Sequence, residues 1–531
     1  MTTKNLRVLF TGQPGIKVRE SLHGFFNQSS AFARGKPRPI LLSIEDAIVK
    51  IYCKEKAIKP YPEIWMREMF DLPYSQLQRL WEKAIKFILA RVKNAKRDIF
   101  LDFHACFYHH ATVEYLSFGR ESIIKSFKPD LLITLIDDIY DIHDRLREDG
   151  QIFSPAHGGA KTPVEAIFEL LRILDWRANE IIMSRHFAME LDIPHYIFAV
   201  KHSYETLYNL IFANKRTFYI SHPISEVRRL QKKEQNTEAA AIMKEINAFQ
   251  FKMTSEFTSF LPTTIDEMRI TFKREGQNII PYLSERWDKE KYSSPKGLLF
   301  IKPPASGRQD PLWNSSFSKE LIKEIEQIEK VLSNHIKQQI STRDYKLVEQ
   351  CKSLAVYRPC FNGHTSGGVL KEIKYYKKCE GQNCFIYLPI KDQNDLKVRI
   401  LEDRITESIK EKELTIAPDA NANVKFALSN EEKTTIINAE NTIKELLPVL
   451  DRIINSHGLG VNADAPVLQG DTSTQANIIK ENLLDNFIKG FQSAIQYYNK
   501  YATKVYDDNN LTPELFVDKI VTYIKKRGKR R

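Results

Sequence analysis

Residues 341–376 read STRDYKLVEQCKSLAVYRPCFNGHTSGGVLKEIKYY, and the order of patterns in this stretch decides the fold. Apolar positions recur at helical spacing over 344–353, Leu354-Ala355-Val356-Tyr357 is a short apolar run that suits a strand, and Thr365-Ser366-Gly367-Gly368 opens a second helical pattern. The expected order is helix, strand, loop, helix. A strand that feeds a Ser/Gly loop and a helix N-terminus is where open α/β sheets hold their ligands, because free backbone N–H groups and the helix dipole point there. Glu372 falls in the first turns of the second helix. Two readings of it are open: a nucleophile or base in such a site, or a surface glutamate favoured by the dipole at a helix start.

At 531 residues the chain has room for two or three domains. Its hydrophobic share of 42% and charged share of 27% place it with ordinary globular proteins rather than disordered ones. Lys+Arg number 79 against 67 Asp+Glu, a net charge of +12, so anionic partners are expected. Nucleotides, phosphorylated metabolites and nucleic acid all fit that charge. No apolar run approaches the length of a membrane span and the N-terminus carries no apolar signal core, so a cytoplasmic protein is expected. The six cysteines are scattered and carry no metal-ligand spacing, so neither a disulfide framework nor a metal site is expected.

In the N-terminal third, Leu6-Arg7-Val8-Leu9-Phe10 is an apolar strand running into Thr11-Gly12-Gln13-Pro14-Gly15-Ile16-Lys17-Val18-Arg19. Strand, Gly-rich loop, helix is the context of a phosphate-binding loop, but the pattern G-x-x-x-x-G-K-[ST] is not met: Lys17, Val18 and Arg19 stand where its second glycine, lysine and hydroxyl residue belong. Lys17 or Arg19 is a candidate phosphate contact. The alternative is a plain Gly-Pro turn in a domain without nucleotide chemistry. Further apolar strands are expected at 98–104, 130–138 and 196–200, with helices at 77–93 and 164–192 between them, which indicates a doubly wound α/β domain.

With the GQPG loop, LDFHA at 101–105 and KPDLLITLIDDIYDIHDRL at 128–146, the first 212 residues resemble the adenylate-kinase branch of the P-loop nucleoside monophosphate kinases. That resemblance implies a nucleotide site formed by Gly12, Gly15, Lys17, Arg19, His104, Asp137 and Arg145, occupied by ATP or another nucleotide with Mg²⁺. It also implies a lid over 147–163, followed by arginines at 172, 177 and 185. The missing hydroxyl residue puts Mg²⁺ binding of the usual kind in doubt.

The middle of the chain, 213–395, carries four ordered elements: YISHPI at 219–224, LPTTIDE at 261–267, RD…SLAVYRP at 343–359 and TSGGVLKEI at 365–373, with an insertion over about 270–335. Together they are similar to the nucleoside 2-deoxyribosyltransferase family and its nucleotide N-glycosidase relatives. That resemblance implies a second Rossmann-like domain with Glu372 at the nucleophile's place, and a substrate loop at Ser221, His222 and Pro223. His222 stands where the family has glycine, and Ser366-Gly367-Gly368-Val369 replaces an acidic motif start. Breaking an N-glycosidic bond passes through an oxocarbenium-like state that a carboxylate stabilises or traps. Asp344 is a candidate second acid, or the cap of a helix. Arg228 and Arg343 are candidate contacts to a 5′-phosphate. Tyr219 or Tyr357 is a candidate wall of the base pocket, and Ser366 and Gly367 would frame the loop. Each also has an ordinary structural reading.

From 396 onward the pattern is mainly helical, with clear stretches at 430–456 and 475–505 and a basic tail, Lys525-Lys526-Arg527-Gly528-Lys529-Arg530-Arg531. The expected protein is therefore an α/β chain: two Rossmann-like domains and a helical C-terminal region. Its expected activity is attack on the N-glycosidic bond of a nucleoside, nucleotide or NAD, in the setting of a prokaryotic defence effector and as a homo-oligomer. The alternatives are a P-loop nucleotide kinase and a non-catalytic sensor of nucleotides or nucleic acid, for which the tail would supply charge.

Overall fold

The computed structural model describes residues 5–528 apart from 62–63, 65–67, 70–71, 94, 110–113, 118–124, 149–159, 225–226, 228–236, 266–270, 277, 283–317, 417–425 and 463–471. The chain divides into two units, each assembled from two separate segments. The first comprises 1–217 and 260–350, the second 218–259 and 351–531. This division runs differently from boundaries at 212 and 395, because residues of the C-terminal region complete the sheet of the second unit.

The first unit is built on a parallel five-stranded sheet. Its strands are β1 (Arg7–Thr11), β2 (Ile40–Ser43), β3 (Ile99–Asp102), β4 (Leu131–Ile136) and β5 (His195–Ala199), in the spatial order β2-β3-β1-β4-β5. All six residues of β4 are buried, as a strand covered on both faces requires. Helices α1 (Val18–Gln28), α2 (Ile44–Lys56), α3 (Tyr74–Val92), α4 (Ile139–Glu148) and α5 (Pro163–Leu191) follow the strands. The start of α5 is written locally: Thr162 accepts from the Glu165 N–H, the Glu165 side chain returns to the Thr162 N–H, and Pro163 opens the first turn. Strand β5 is the sheet edge, and the side chain of Gln350 pairs with it as a neighbouring strand would. Its Oε1 accepts from Ile197 N at 2.9 Å and its Nε2 donates to Ile197 O at 3.0 Å.

The second sheet contains β6 (Thr217–Ser221), β7 (Thr258–Phe260), β8 (Ser353–Tyr357), β9 (Asn383–Tyr387) and β10 (Lys504–Tyr506), in the order β7-β6-β8-β9-β10. The pairings β6 with β8, β8 with β9 and β9 with β10 are parallel. In strand sequence the order is 2-1-3-4-5. The chain leaves β6 toward one edge and resumes at β8 on the other side, which puts the switch point between β6 and β8. Helices α6 (Thr237–Glu256), α7 (Gly367–Lys378), α8 (Ile390–Lys410), α9 (Thr472–Tyr501) and α10 (Pro513–Gly528) belong to this unit.

The two faces of the second sheet differ in character. Phe218, Tyr357, Phe385 and Tyr387 share one face, where Tyr357 packs on Phe249 of α6, Tyr357 and Tyr387 on Phe516 of α10, Phe385 on Tyr523 of α10 and Phe218 on Phe257. Tyr219 and Ser221 point the opposite way, as alternation along β6 demands. The stretch 430–456 is two helices, Asn430–Asn438 and Ile443–Ser456. Their junction is polar, Glu440-Asn441-Thr442, and such side chains compete with the helix for its own backbone groups. Both helices pack with α8 and α9 in a cluster that includes Leu401, Ile405, Leu450, Leu484 and Phe487. No described helix is long and apolar enough to cross a membrane.

Candidate functional site

The opening stretch folds in the expected order. A helix, Lys319–Glu349, is followed by β8, a small antiparallel hairpin (Cys360–Phe361 with His364–Thr365) and α7. Ser366 is the N-cap of α7 and accepts from Val369 N, while Gly367 is its first, exposed residue. This cap orients the first turns of α7 over the carboxyl end of β6. Glu372 lies one turn further on, half-buried. Its Oε1 accepts from the Tyr219 hydroxyl at 2.8 Å, and its Oε2 accepts from the Ser221 hydroxyl. Tyr219 is fully buried and Ser221 likewise, so the donors are fixed by the sheet and the carboxylate is fixed by the donors.

Other expected contacts take different positions. Tyr357 lies on the sheet face opposite Glu372, stacked 4.8 Å from Phe249, with its hydroxyl on Glu245 Oε2 at 3.1 Å. As a wall beside Glu372 it is replaced by Tyr219, because β8 pairs Leu354 with Tyr219 and Val356 with Ser221, and Tyr357 then falls in the alternate parity. His222 is buried just past β6 and meets Gln250 of α6 through its Nε2 at 2.6 Å, and Pro223 follows it, also buried. Arg228 lies outside the described residues. Arg343 and Asp344 belong to the first unit, inside the long helix Lys319–Glu349. They pair with one another at 2.8 Å, and Asp344, far inside that helix, is not its cap.

A residue that the sequence did not single out dominates the carboxyl end of β8. Arg358, held at φ 48°, sets its guanidinium on Asp392 of α8 through two bonds of 2.9 and 2.6 Å and on Glu245 at 3.0 Å. Asp392 is buried, so this bidentate pair fixes α8 against the sheet beside the switch point.

In the first unit the Gly12 loop does have a strand before it and a helix after it. Gly15 is at φ +86°, and a Cβ there would meet the Ile142 and Leu146 side chains of α4 at 3.0 and 3.1 Å. Lys17 heads α1 in the left-handed region at φ 54°. Residues 12–16 are all buried. Arg145 donates to Gly15 O at 2.6 Å and pairs with Asp137, which Lys201 also approaches at 3.3 Å. Arg177 donates to Asp137 O at 3.1 Å. A ring nitrogen of His104 contacts Gly12 O, and its backbone N–H donates to Glu45. Arg19 pairs with Asp46 on the surface, and Arg185 with Glu349. The lid expected over 147–163 falls largely outside the described residues.

Among the described residues no group of three or more His, Cys, Asp or Glu side chains is arranged to hold a metal ion. The second unit presents a held carboxylate at the carboxyl end of its parallel sheet. Neither a known family model nor a curated protein matches this chain.

Proposed function

We propose that the second unit cleaves, or transfers the sugar across, the N-glycosidic bond of a nucleoside, nucleotide or nicotinamide dinucleotide, with Glu372 as the nucleophile. The observation that carries this reading is the Glu372 carboxylate held by Tyr219 and Ser221 at the carboxyl end of β6, beside the switch point between β6 and β8. Ligands of open α/β sheets enter at that point. In the reaction a Glu372 oxygen attacks the anomeric carbon as the bond to the base breaks, and the base departs with the bonding electrons and takes up a proton. Water, or the ring nitrogen of an incoming base, then displaces Glu372 from the sugar. Tyr219 and Ser221 orient the carboxylate for the attack.

The test is a panel of nucleosides, nucleoside phosphates and NAD incubated with the full chain, with released base followed by chromatography and Glu372→Gln run alongside. Base released by the wild type and absent with the variant is the expected result. Release that is equal in the two proteins, or absent from the whole panel, removes this reading.

A further inference from the structure

The loops at the carboxyl ends of β1 and β3 converge on one side chain. Glu180, midway along α5 and only 1% exposed, accepts from Gly12 N at 3.1 Å and Ala105 N at 2.8 Å through Oε1, and from Cys106 N at 2.9 Å through Oε2. The Cys106 thiol adds a fourth donor at 3.3 Å. Three backbone N–H groups from two loops, aimed at one point, make an oxyanion cradle of the kind that phosphate and carboxylate ligands occupy. We propose that the first unit contains such an anion site and that Glu180 is its built-in occupant, so the Gly12 loop is held shut by the protein's own carboxylate.

Neighbouring residues of α5 hold the helix across the strand ends. One turn before Glu180, Trp176 Nε1 donates to Cys106 O at 3.2 Å and Arg177 donates to Asp137 O at 3.1 Å. One turn after it, the Ser184 and Thr11 hydroxyls meet at 2.8 Å. Further back, Gln13 Nε2 donates to Ile173 O at 3.3 Å. Helix α5 thereby touches the ends of β1, β3 and β4 through a single stripe. Burial pushes the Glu180 carboxyl up, and His104 and the amides of Ala105 and Cys106 pull it back. An external anion would have to displace Glu180 to reach Gly12 N.

The experiment compares the full-length wild type with Glu180→Ala by thermal melting in formate, in acetate and in chloride at matched ionic strength. Deleting the side chain leaves three buried amides without an acceptor, so the variant is expected to melt about 5–10 °C lower. Formate is expected to refill the cradle and restore a saturable part of that loss over about 1–100 mM, and to leave the wild type unmoved. Mg-ATP is likewise expected to leave the wild-type melt unchanged. A variant that melts with the wild type, formate that acts no differently from chloride, or a wild-type shift with Mg-ATP that Lys17→Ala abolishes would each overturn the proposal. Should Glu180→Ala fail to fold, Glu180→Gln is followed by amide hydrogen exchange. Exchange at Gly12, Ala105 and Cys106 at least about tenfold faster than in the wild type is expected, and unchanged exchange overturns the proposal.

Discussion

The carboxyl edges of the two parallel sheets are built from the same ingredients and arranged in opposite ways. At the first edge the carboxylate of Glu180 turns inward and consumes the loop amides, Arg145 and Asp137 pair beneath Gly15, and His202, just past β5, is 1% exposed among Phe198 and Phe260. At the second edge the carboxylate of Glu372 rests on hydroxyls at the rim and stays half-buried. A parallel sheet supplies convergent loops and helix starts wherever it occurs. Whether they form a site depends on whether the chain satisfies those groups itself.

The sharpest way to break this contrast is Glu372→Gln. If the second edge is the working one, base release falls by at least about a thousandfold, since a nucleophile has no substitute at its position. Chromatography of the reaction mixture reads this directly.

Next in size is Asp392→Ala, which leaves the buried Arg358 with Glu245 as its one carboxylate partner among the described residues. Stripping one partner from a buried pair costs about 3 kcal/mol, so denaturant unfolding should show a lowered midpoint at unchanged slope. No loss of stability would mean that the second edge does not depend on this pair.

The dryness of the first edge is open to a pH measurement. Burial pushes the His202 pKa down to about 3, from an ordinary value near 6.5. The unfolded chain therefore takes up this proton first as pH falls. Stability from this residue is complete above about pH 6.5 and declines progressively toward pH 3, with a loss of about 2 kcal/mol already at pH 5. Both ring nitrogens lack hydrogen-bond partners, so His202→Leu is expected to flatten that slope without cost at neutral pH. An unaltered slope would mean that His202 is hydrated.

Smaller effects refine the picture. Tyr219→Phe removes a hydroxyl that donates to Glu372 and should lower base release about tenfold, equivalent to about 1.4 kcal/mol. The fold should be untouched, which a melting curve checks. Thr162→Ala, at the cap of the helix that closes the first edge, should cost about 1 kcal/mol in unfolding and leave base release unchanged.

Strands buried on both faces were legible in the sequence because such strands are continuous apolar runs, as at 131–136 and 353–357. Strand β10 was not, since Lys504-Val505-Tyr506 is three residues long and carries a charge, and only its parallel register with Phe385–Tyr387 makes it a strand. Glu372 was visible through its Ser/Gly loop and helix start. Its partners were visible only as members of one strand, and the sheet register decided that Tyr219 rather than Tyr357 faces it. Glu180 was missed because it stands in the middle of a helix. The available signal was Arg177, Glu180 and Ser184 on the same stripe as Ile173 and Phe187, polar groups where a helix packs its apolar face.

Each unit is assembled from segments that alternate along the chain, and this bears on synthesis from the ribosome. The first 217 residues emerge with all five strands of their sheet, yet the Gln350 side chain that covers the edge of β5 follows more than a hundred residues later. Until then that edge is an open template for pairing with another nascent chain. The second unit waits longer, because β10 (Lys504–Tyr506) follows Gln350 far along the chain. A C-terminal truncation that removes β10 would therefore leave the second sheet with a strand missing and β9 as its new edge.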